Sequence, residues 1–257
     1  MSTIEFLHHI RTLELALAVS EMPSTSNKSN KITILEIGSG TGQQAKILTE
    51  SGFNVIAVDI PSSAYKNQRV FPVIEYDGKN LPCQDSSIDI LFCSNVLEHI
   101  EDIDDFLKET YRVLTPKGIA IHILPTSSCR FWSLIAHYGW AVRRLLELIF
   151  SKTKKDFYFA STPKKIKRND LLNIAFPARH GERGNSLTEI YYYSEFWWKN
   201  KFISNNFDIK SISNNELFYS MANFLKFKLS IKSRRWLSSY MGSSCKIYKM
   251  EKYEERK

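Results

Sequence analysis

A glycine-rich turn is the part of this sequence whose residue types and spacing are best suited to chemistry. Residues 36–42 read Glu-Ile-Gly-Ser-Gly-Thr-Gly, directly after an apolar, β-rich run and before a helical one. Glycine permits tight turns and lets backbone N–H groups approach a ligand closely. The third glycine comes one residue earlier than in a dinucleotide fingerprint, and Gln43 takes its expected place. The turn therefore predicts a nucleoside-type ligand and disfavours a nicotinamide-dependent oxidoreductase.

Polar side chains follow the next three predicted strands. Asp59 closes the second strand, 17 residues after Gly42, while Asp77 and Asn95 end the third and fourth. An acid after the second strand can accept hydrogen bonds from both hydroxyls of a ribose. Because the carboxyl ends of parallel strands meet at one edge of a sheet, we expect these groups to lie together there.

In combination, these features resemble the class I S-adenosylmethionine-dependent methyltransferases of the small-molecule type. The glycine motif, Asp59 and the runs 76–100 and 109–118 carry the resemblance, which covers residues 31–124. It implies a doubly wound, Rossmann-like α/β fold whose seven-stranded sheet is mostly parallel, with the last strand antiparallel. Alternating apolar strands and helices favour the same fold class independently. The resemblance also implies S-adenosyl-L-methionine as the cofactor.

The same resemblance assigns roles around the cofactor. It places the glycines against the amino-acid part, with Glu36 orienting their loop. Asp59 would hold the ribose and Asp77 the adenine amine, while Asn95 would lie near the methionine moiety. An ordinary turn remains the alternative for Asp77, since Asp-Gly is a common turn pair. The predicted cofactor-binding set is Glu36, Gly38, Ser39, Gly40, Thr41, Gly42, Asp59, Ile60, Asp77, Gly78 and Asn95.

A polar loop in the second half supplies two candidates for a general base, which helps when the methyl acceptor is a hydroxyl. His180 and Glu182 lie between Arg179 and Arg183. Titratable groups beside cations suit an anionic acceptor, and a solvated loop is the alternative. More loosely, residues 179–198 look like methyltransferases found among bacterial surface-glycan and lipid-glycan genes.

His99 is the third catalytic candidate. It follows Glu98 at a helix entrance, where both residues are equally compatible with substrate contact and with a solvated or capping role. His122 lies within the predicted fifth strand, and we expect it to be a core histidine.

The charge of the chain is divided unequally. The 257 residues carry a net charge of +8, but residues 1–124 are net −6 and residues 125–257 net +14. The basic half is expected to face something anionic: a phosphorylated or lipid-linked substrate, a membrane surface or nucleic acid. No Asp/Asn-Pro-Pro-aromatic run follows the fourth strand, so methylation of base amines is disfavoured. The four cysteines are too far apart for a CxxC metal site, and no metal site is predicted.

Composition and pattern divide the chain into four parts. We predict an N-terminal helix and linker over 1–30 and the cofactor-binding half over 31–124. A basic, aromatic insertion over 125–193 would cover the acceptor, and helices and strands over 194–257 would complete the sheet. Residues 131–150 and 222–240 have helical patterns, and 152–168 carry seven basic residues and one acid. Such segments either lie on an anionic membrane or place their apolar side in the core.

These observations predict a methyltransferase acting on an oxygen of a small-molecule, glycan or lipid-linked acceptor. A nucleic-acid (RNA) methyltransferase and a non-catalytic nucleotide-binding module of the same fold are the alternatives. The sequence has no run of about 20 apolar residues and no secretory leader pattern, and its thiols are scattered. We therefore expect a cytoplasmic protein, with peripheral contact to the inner face of the membrane as an option. The oligomeric state stays open.

Overall fold

The computed structural model describes residues 3–23, 31–150, 177–220 and 229–253. Within these residues a single sheet of seven strands forms the centre of the molecule. The strands are β1 (Thr33–Ile37), β2 (Asn54–Asp59), β3 (Ile74–Glu75), β4 (Ile88–Ser94), β5 (Leu114–Pro125), β6 (Phe207–Asn214) and β7 (Cys245–Lys252).

The strand order is β3-β2-β1-β4-β5-β7-β6, and β7 runs in the direction opposite to the other six strands. The chain order reverses between β1 and β4, and such a switch point opens a crevice at the carboxyl ends of the strands. The predicted doubly wound, mostly parallel sheet with an antiparallel last strand is confirmed.

Helices lie on both faces of the sheet. Their bounds are α1 (Thr3–Ser20), α2 (Gln43–Glu50), α3 (Ile103–Val113), α4 (Ser127–Phe150), α5 (Glu189–Tyr192), α6 (Glu195–Ser204) and α7 (Ile231–Met241). On one face, Leu15 of α1 and Leu48 of α2 join a buried cluster with the apolar residues of β1, β4 and β5. On the other face, Phe106 of α3 and Trp198 and Phe202 of α6 form a second buried cluster. This two-sided cover explains why the central strands are apolar throughout.

Local capping explains where several helices begin. The Asp102 carboxylate accepts from the Asp105 N–H at the start of α3, and the Ser194 hydroxyl accepts from the Trp197 N–H at the start of α6. Such caps satisfy amide groups that have no partner within the helix. The two caps therefore set the starts of α3 and α6.

Three elements have bounds that the sequence pattern does not predict. β5 begins at Leu114, directly after α3, and its pairing with β4 is irregular near Ile88. A short helix, α5, occupies part of the expected loop over 177–193, since Asn185 and Thr188 make local turns there. The last helix begins at Ile231 and is capped by Ser230, so the helix predicted over 222–240 is not continuous through residues 229–230. Residues 152–168, and 222–228 of the predicted helix, lie outside the described residues.

Candidate active site

The glycine turn follows β1 and adopts a conformation that other residues rarely take. Gly38, Gly40 and Gly42 have φ angles of 68°, 55° and 75°. A Cβ at Gly38 would lie 2.2 Å from Cγ2 of Val96, in the segment that follows β4. Glycine is needed there for both the backbone angle and the close approach.

The β2 strand holds this turn through backbone and carboxylate. The N–H groups of Gly38 and Ser39 donate to the carbonyl of Val58, at 2.9 and 3.1 Å. The Gly40 N–H donates to Oδ2 of Asp59 at 3.0 Å, and the N–H of Ile60 donates to Oδ1 at 2.8 Å. A carboxylate has about four acceptor positions, so Asp59 keeps acceptor capacity beyond these two bonds.

Glu36, at the end of β1, is 2% exposed, and its Oε2 has no hydrogen-bond partner among the described residues. Burial raises the pKa of its carboxyl to about 8, with a further contribution from nearby Asp59. This buried oxygen without a hydrogen-bond partner, next to the glycine turn, would stabilise a cationic group of a ligand.

Asp77 and Gly78 form an exposed turn after β3. The Asp77 carboxylate accepts from the N–H groups of Lys79 and Asn80, at 2.8 and 2.7 Å, and from the Asn80 amide at 2.6 Å. These hydrogen bonds lower the pKa of Asp77. A Cβ at Gly78 would lie 3.4 Å from Ile60, so the turn reaches the residue that follows Asp59.

Asn95 follows β4 in the left-handed region, with φ of 54°. Its N–H donates to the carbonyl of Ile123 at 2.8 Å, and its Oδ1 accepts from the Cys245 thiol at 3.5 Å. The predicted cofactor set thus lies after β1, β2, β3 and β4, along one edge of the sheet.

Two residues that the sequence did not indicate also meet the glycine turn. His8 of α1 contacts Thr41, with 3.3 Å between Nε2 and Oγ1. A Cβ at Gly40 would lie 3.3 Å from the ring of Tyr65. Neither residue belongs to a motif, and only the fold brings them to the turn.

A second group of side chains gathers beside this edge: Glu98, His99 and His180. The ligand-type atoms of the three residues all lie within 4.8 Å of one another, and Oε1 of Glu98 is 3.9 Å from Nε2 of His99. The two imidazole rings meet edge to face, with 4.9 Å between their centroids. The structure therefore brings together two of the three predicted catalytic residues, although 81 residues separate them in the chain.

Burial controls the protonation of this cluster. Glu98 is 1% exposed, so of the two alternatives that the sequence left open, a solvated position does not apply to it. Burial raises the pKa of Glu98 to about 7. Partial desolvation, together with the neighbouring His99, lowers the pKa of His180 to about 4. The pKa of His99 is also lowered, mainly by burial. Both imidazoles are therefore neutral near pH 7.

The loop that carries His180 is joined to the segment after β4. The Glu182 N–H donates to the carbonyl of Glu98 at 2.9 Å, and a Cβ at Gly181 would lie 2.7 Å from that same oxygen. Glycine at 181 permits this contact. The Glu182 carboxylate itself pairs with Arg179 at 2.7 Å and is not among the clustered groups.

A buried ion pair between Arg130 and Glu189 holds the loop that carries His180. Glu189 of α5 is fully buried, and its Oε1 accepts from the N–H groups of His180 and Gly181 at 2.7 and 2.6 Å. Its Oε2 lies 2.8 Å from Nε of Arg130, which also donates to the carbonyl of Ala178. The pair therefore fixes the backbone on which His180 stands.

Arg183 completes the junction. Its guanidinium donates to the carbonyls of Leu97 and Ile100 at 2.9 Å each, and lies 4.9 Å above the ring of Trp197. Arg179 and Arg183 are thus both engaged by the protein itself. This limits their role in holding an anionic acceptor.

The sequence also matches a known family. Residues 35–122 match the family model described as a methyltransferase domain. The chain carries a class I S-adenosylmethionine-dependent methyltransferase domain. S-Adenosylmethionine is the cofactor of that family.

The geometry of this methyltransferase domain fits that cofactor. Its glycine turn offers backbone that side chains would obstruct, at Gly38 and Gly42 in particular. The buried, unpartnered oxygen of Glu36 lies below the turn, and Asp59 keeps acceptor positions at its side.

Relatives and solved structures agree with this assignment. A ubiquinone biosynthesis O-methyltransferase of Rickettsia bellii is 32% identical over 123 residues, which are 45% of this chain and 51% of that protein. The chain therefore spans about half the length of that relative. The enzyme of the same name from Rickettsia typhi is 25% identical over 68% of this chain and 76% of its own.

Among solved structures, an S-adenosylmethionine-dependent methyltransferase from Mesorhizobium loti superposes with a TM-score of 0.56 at 15% identity. The superposition covers 93% of this chain and 98% of the other. At this identity, the likeness shows the shared fold.

Proposed function

We propose that this protein transfers a methyl group from S-adenosylmethionine to an oxygen atom of a small-molecule, glycan or lipid-linked acceptor. The observation that carries the proposal is the glycine turn held by Asp59 at the carboxyl edge of the sheet. The cofactor would supply a methyl group already activated by its positive sulfur. The protein then has to align the acceptor and exclude water.

Oxygen is favoured as the acceptor atom by two observations. The similar Rickettsia proteins are named as O-methyltransferases. In this chain, two neutral imidazoles and a buried carboxylate meet next to the segment that contacts the glycine turn. As a new O–C bond forms, the methyl–sulfur bond breaks with its electron pair on sulfur, and the hydroxyl proton must leave. His180 and His99 are the candidates for accepting it, while Glu182, paired with Arg179, is the weaker candidate.

The short segment after β4 brings the glycine turn next to the cluster of Glu98, His99 and His180. Val96 packs on Gly38 of the cofactor turn, and Glu98, two residues later, packs on Gly181 of the insertion. An acceptor bound against the cluster would thus lie next to the methyl donor. We propose on this ground that the insertion over 125–193 covers the acceptor.

The basic character of the second half supports an anionic or lipid-linked acceptor, and we include peripheral membrane contact in the proposal. Helix α4 presents an exposed apolar stripe made of Phe131, Ile135, Tyr138 and Val142. These residues recur every three or four positions and so share one side of the helix. In the described part of the chain, no helix combines the length and apolarity needed to cross a bilayer. An interfacial position of α4 would accordingly be peripheral.

Binding of the demethylated cofactor product tests the proposal. In Asp59→Ala, titration calorimetry with S-adenosylhomocysteine should show affinity about 10- to 150-fold weaker, as expected for loss of hydrogen bonds to a charged group, about 1.5–3 kcal/mol. Asp208→Asn is the matched control, because Asp208 is an exposed acid on β6 that pairs with Lys210, away from the glycine turn. Equal affinity in the wild type and Asp59→Ala would remove the basis of the proposal.

A further inference from the structure

Three side chains of metal-ligand type, Glu98, His99 and His180, meet with their ligand atoms within 4.8 Å of one another. We propose that they bind a divalent transition-metal cation. The site lies between the segment after β4 and the loop of the insertion, and it involves none of the predicted cofactor-binding residues.

The carboxylate of Glu98 is the strongest evidence. It is 1% exposed, and neither of its oxygens has a hydrogen-bond partner among the described residues. Arg11 and Arg183 attract it electrostatically, but Arg11 pairs with Glu14 and Arg183 donates to backbone carbonyls. A buried carboxylate without hydrogen-bond partners is costly, and a bound cation would compensate that cost directly.

The two histidines provide the remaining ligands. Both side chains are accessible, and an imidazole ring offers a nitrogen lone pair for coordination. The backbone of His180 is fixed independently by the Glu189 carboxylate. Such support for a ligand residue is characteristic of metal sites.

Ligand type and number indicate the class of cation. Two imidazole nitrogens and one carboxylate suit Zn²⁺, Mn²⁺, Co²⁺ or Fe²⁺, whereas Mg²⁺ and Ca²⁺ prefer oxygen ligands. Bonds of about 2.1 Å in a tetrahedral site separate ligand atoms by roughly 3.4 Å, so the present atoms would have to approach each other by about 1 Å. Rotation of the two accessible histidine side chains can supply that movement. Three protein ligands leave a coordination position open for a water or an acceptor oxygen.

The use of the cation in catalysis rests on the proposed function, whereas its binding does not. A hydroxyl bound at the open position would lose its proton to solvent more readily, because a coordinated oxygen is more acidic. The resulting oxygen would then attack the methyl group, and the carbon–sulfur electron pair would remain on sulfur. His99 and His180 would thus act as ligands and not as proton acceptors.

Metal binding can be measured without any methyl acceptor. The chelator-stripped full-length protein is titrated with Zn²⁺ and Mn²⁺ by calorimetry, and with Co²⁺ by visible absorption. We expect one equivalent to bind, with a rise in the thermal unfolding midpoint since only the folded state holds the site. His180→Gln and Glu98→Gln should each weaken binding at least about tenfold.

The controls separate this inference from the proposed function. His9→Gln removes an exposed histidine outside the cluster and should bind the metal as the wild type does. S-Adenosylhomocysteine affinity, measured on the same samples, should be retained in all three variants. His180→Gln changes an exposed side chain and keeps the conclusion testable if Glu98→Gln unfolds. Absence of stoichiometric binding, or binding unchanged in folded His180→Gln, would overturn the metal site and leave the histidines as proton acceptors.

Discussion

His122 is a buried residue whose protonation makes the stability of the protein depend on pH. It lies in the middle of β5, between Cys93 of β4 and Tyr248 of β7, and stacks on Phe202 of α6. It is fully buried, and neither ring nitrogen has a hydrogen-bond partner among the described residues. Burial alone lowers its pKa to about 3, from an ordinary value of 6.5. As predicted, His122 lies in the core, where it is held neutral.

Replacing His122 should change the acid sensitivity of the protein. Because its pKa is lower in the folded state, the unfolded chain binds the extra proton, so stability is lost as the pH falls from about 6.5 towards 3. In His122→Leu, the free energy of unfolding should therefore fall less steeply between pH 6.5 and 4.5. Urea unfolding at several pH values across this range measures the free energy of unfolding, with His9→Gln as the control. Parallel pH profiles of the wild type and His122→Leu would contradict the prediction.

At the scale of elements, the ion pair between α4 and α5 organises the insertion. Arg130 and Glu189 are both buried, and together they bind the backbone at Ala178, His180, Gly181 and Ser186. Removing one partner of a buried pair leaves an uncompensated charge, which is the costly way to break it.

Glu189→Gln should therefore destabilise the protein by about 3–5 kcal/mol, the range for a buried pair that loses one partner. Denaturant unfolding at pH 7 measures the change. Asp105→Asn breaks the exposed pair with Lys108 and should leave stability nearly unchanged. If Glu189→Gln unfolds no more easily than Asp105→Asn, the pair is not what holds the loop.

Local patterns account for most of the sheet and for the glycine turn. The turn could be predicted because its residues are contiguous and only glycine accepts their backbone angles. The gathering of His99 and His180 could not, because it depends on Gly181 packing against the Glu98 carbonyl across the fold. The burial of Glu98 was missed for the same reason. The break before α7 could not be predicted because the apolar, basic pattern over 222–240 continues through the capping residue Ser230.

For the molecule as a whole, the uneven charge predicts a salt-sensitive partner. Seven basic residues over 152–168, outside the described residues, follow the α4 helix with its exposed apolar stripe. Each basic residue near an anionic bilayer contributes about 1 kcal/mol of attraction, and salt screens it.

Vesicle cosedimentation tests this surface. The wild type should bind vesicles containing anionic lipid, and binding should decrease as salt is added. Replacing the seven basic residues with glutamine should abolish it. Replacing three exposed lysines elsewhere, Lys108, Lys117 and Lys210, should matter little. Equal binding to neutral and anionic vesicles, or to neither, would leave the charge as a substrate or solubility feature.

The position of β7 in the sheet has a consequence for synthesis. β7 lies between β5 and β6, yet it is made last of the three. While the ribosome is still translating the residues before 245, β5 and β6 cannot be joined, and each exposes an edge with free backbone donors and acceptors. Open edges of this kind pair readily with other chains. Nascent chains that stall between the completion of β6 and residue 252 should therefore be the most prone to aggregate and the most dependent on chaperones.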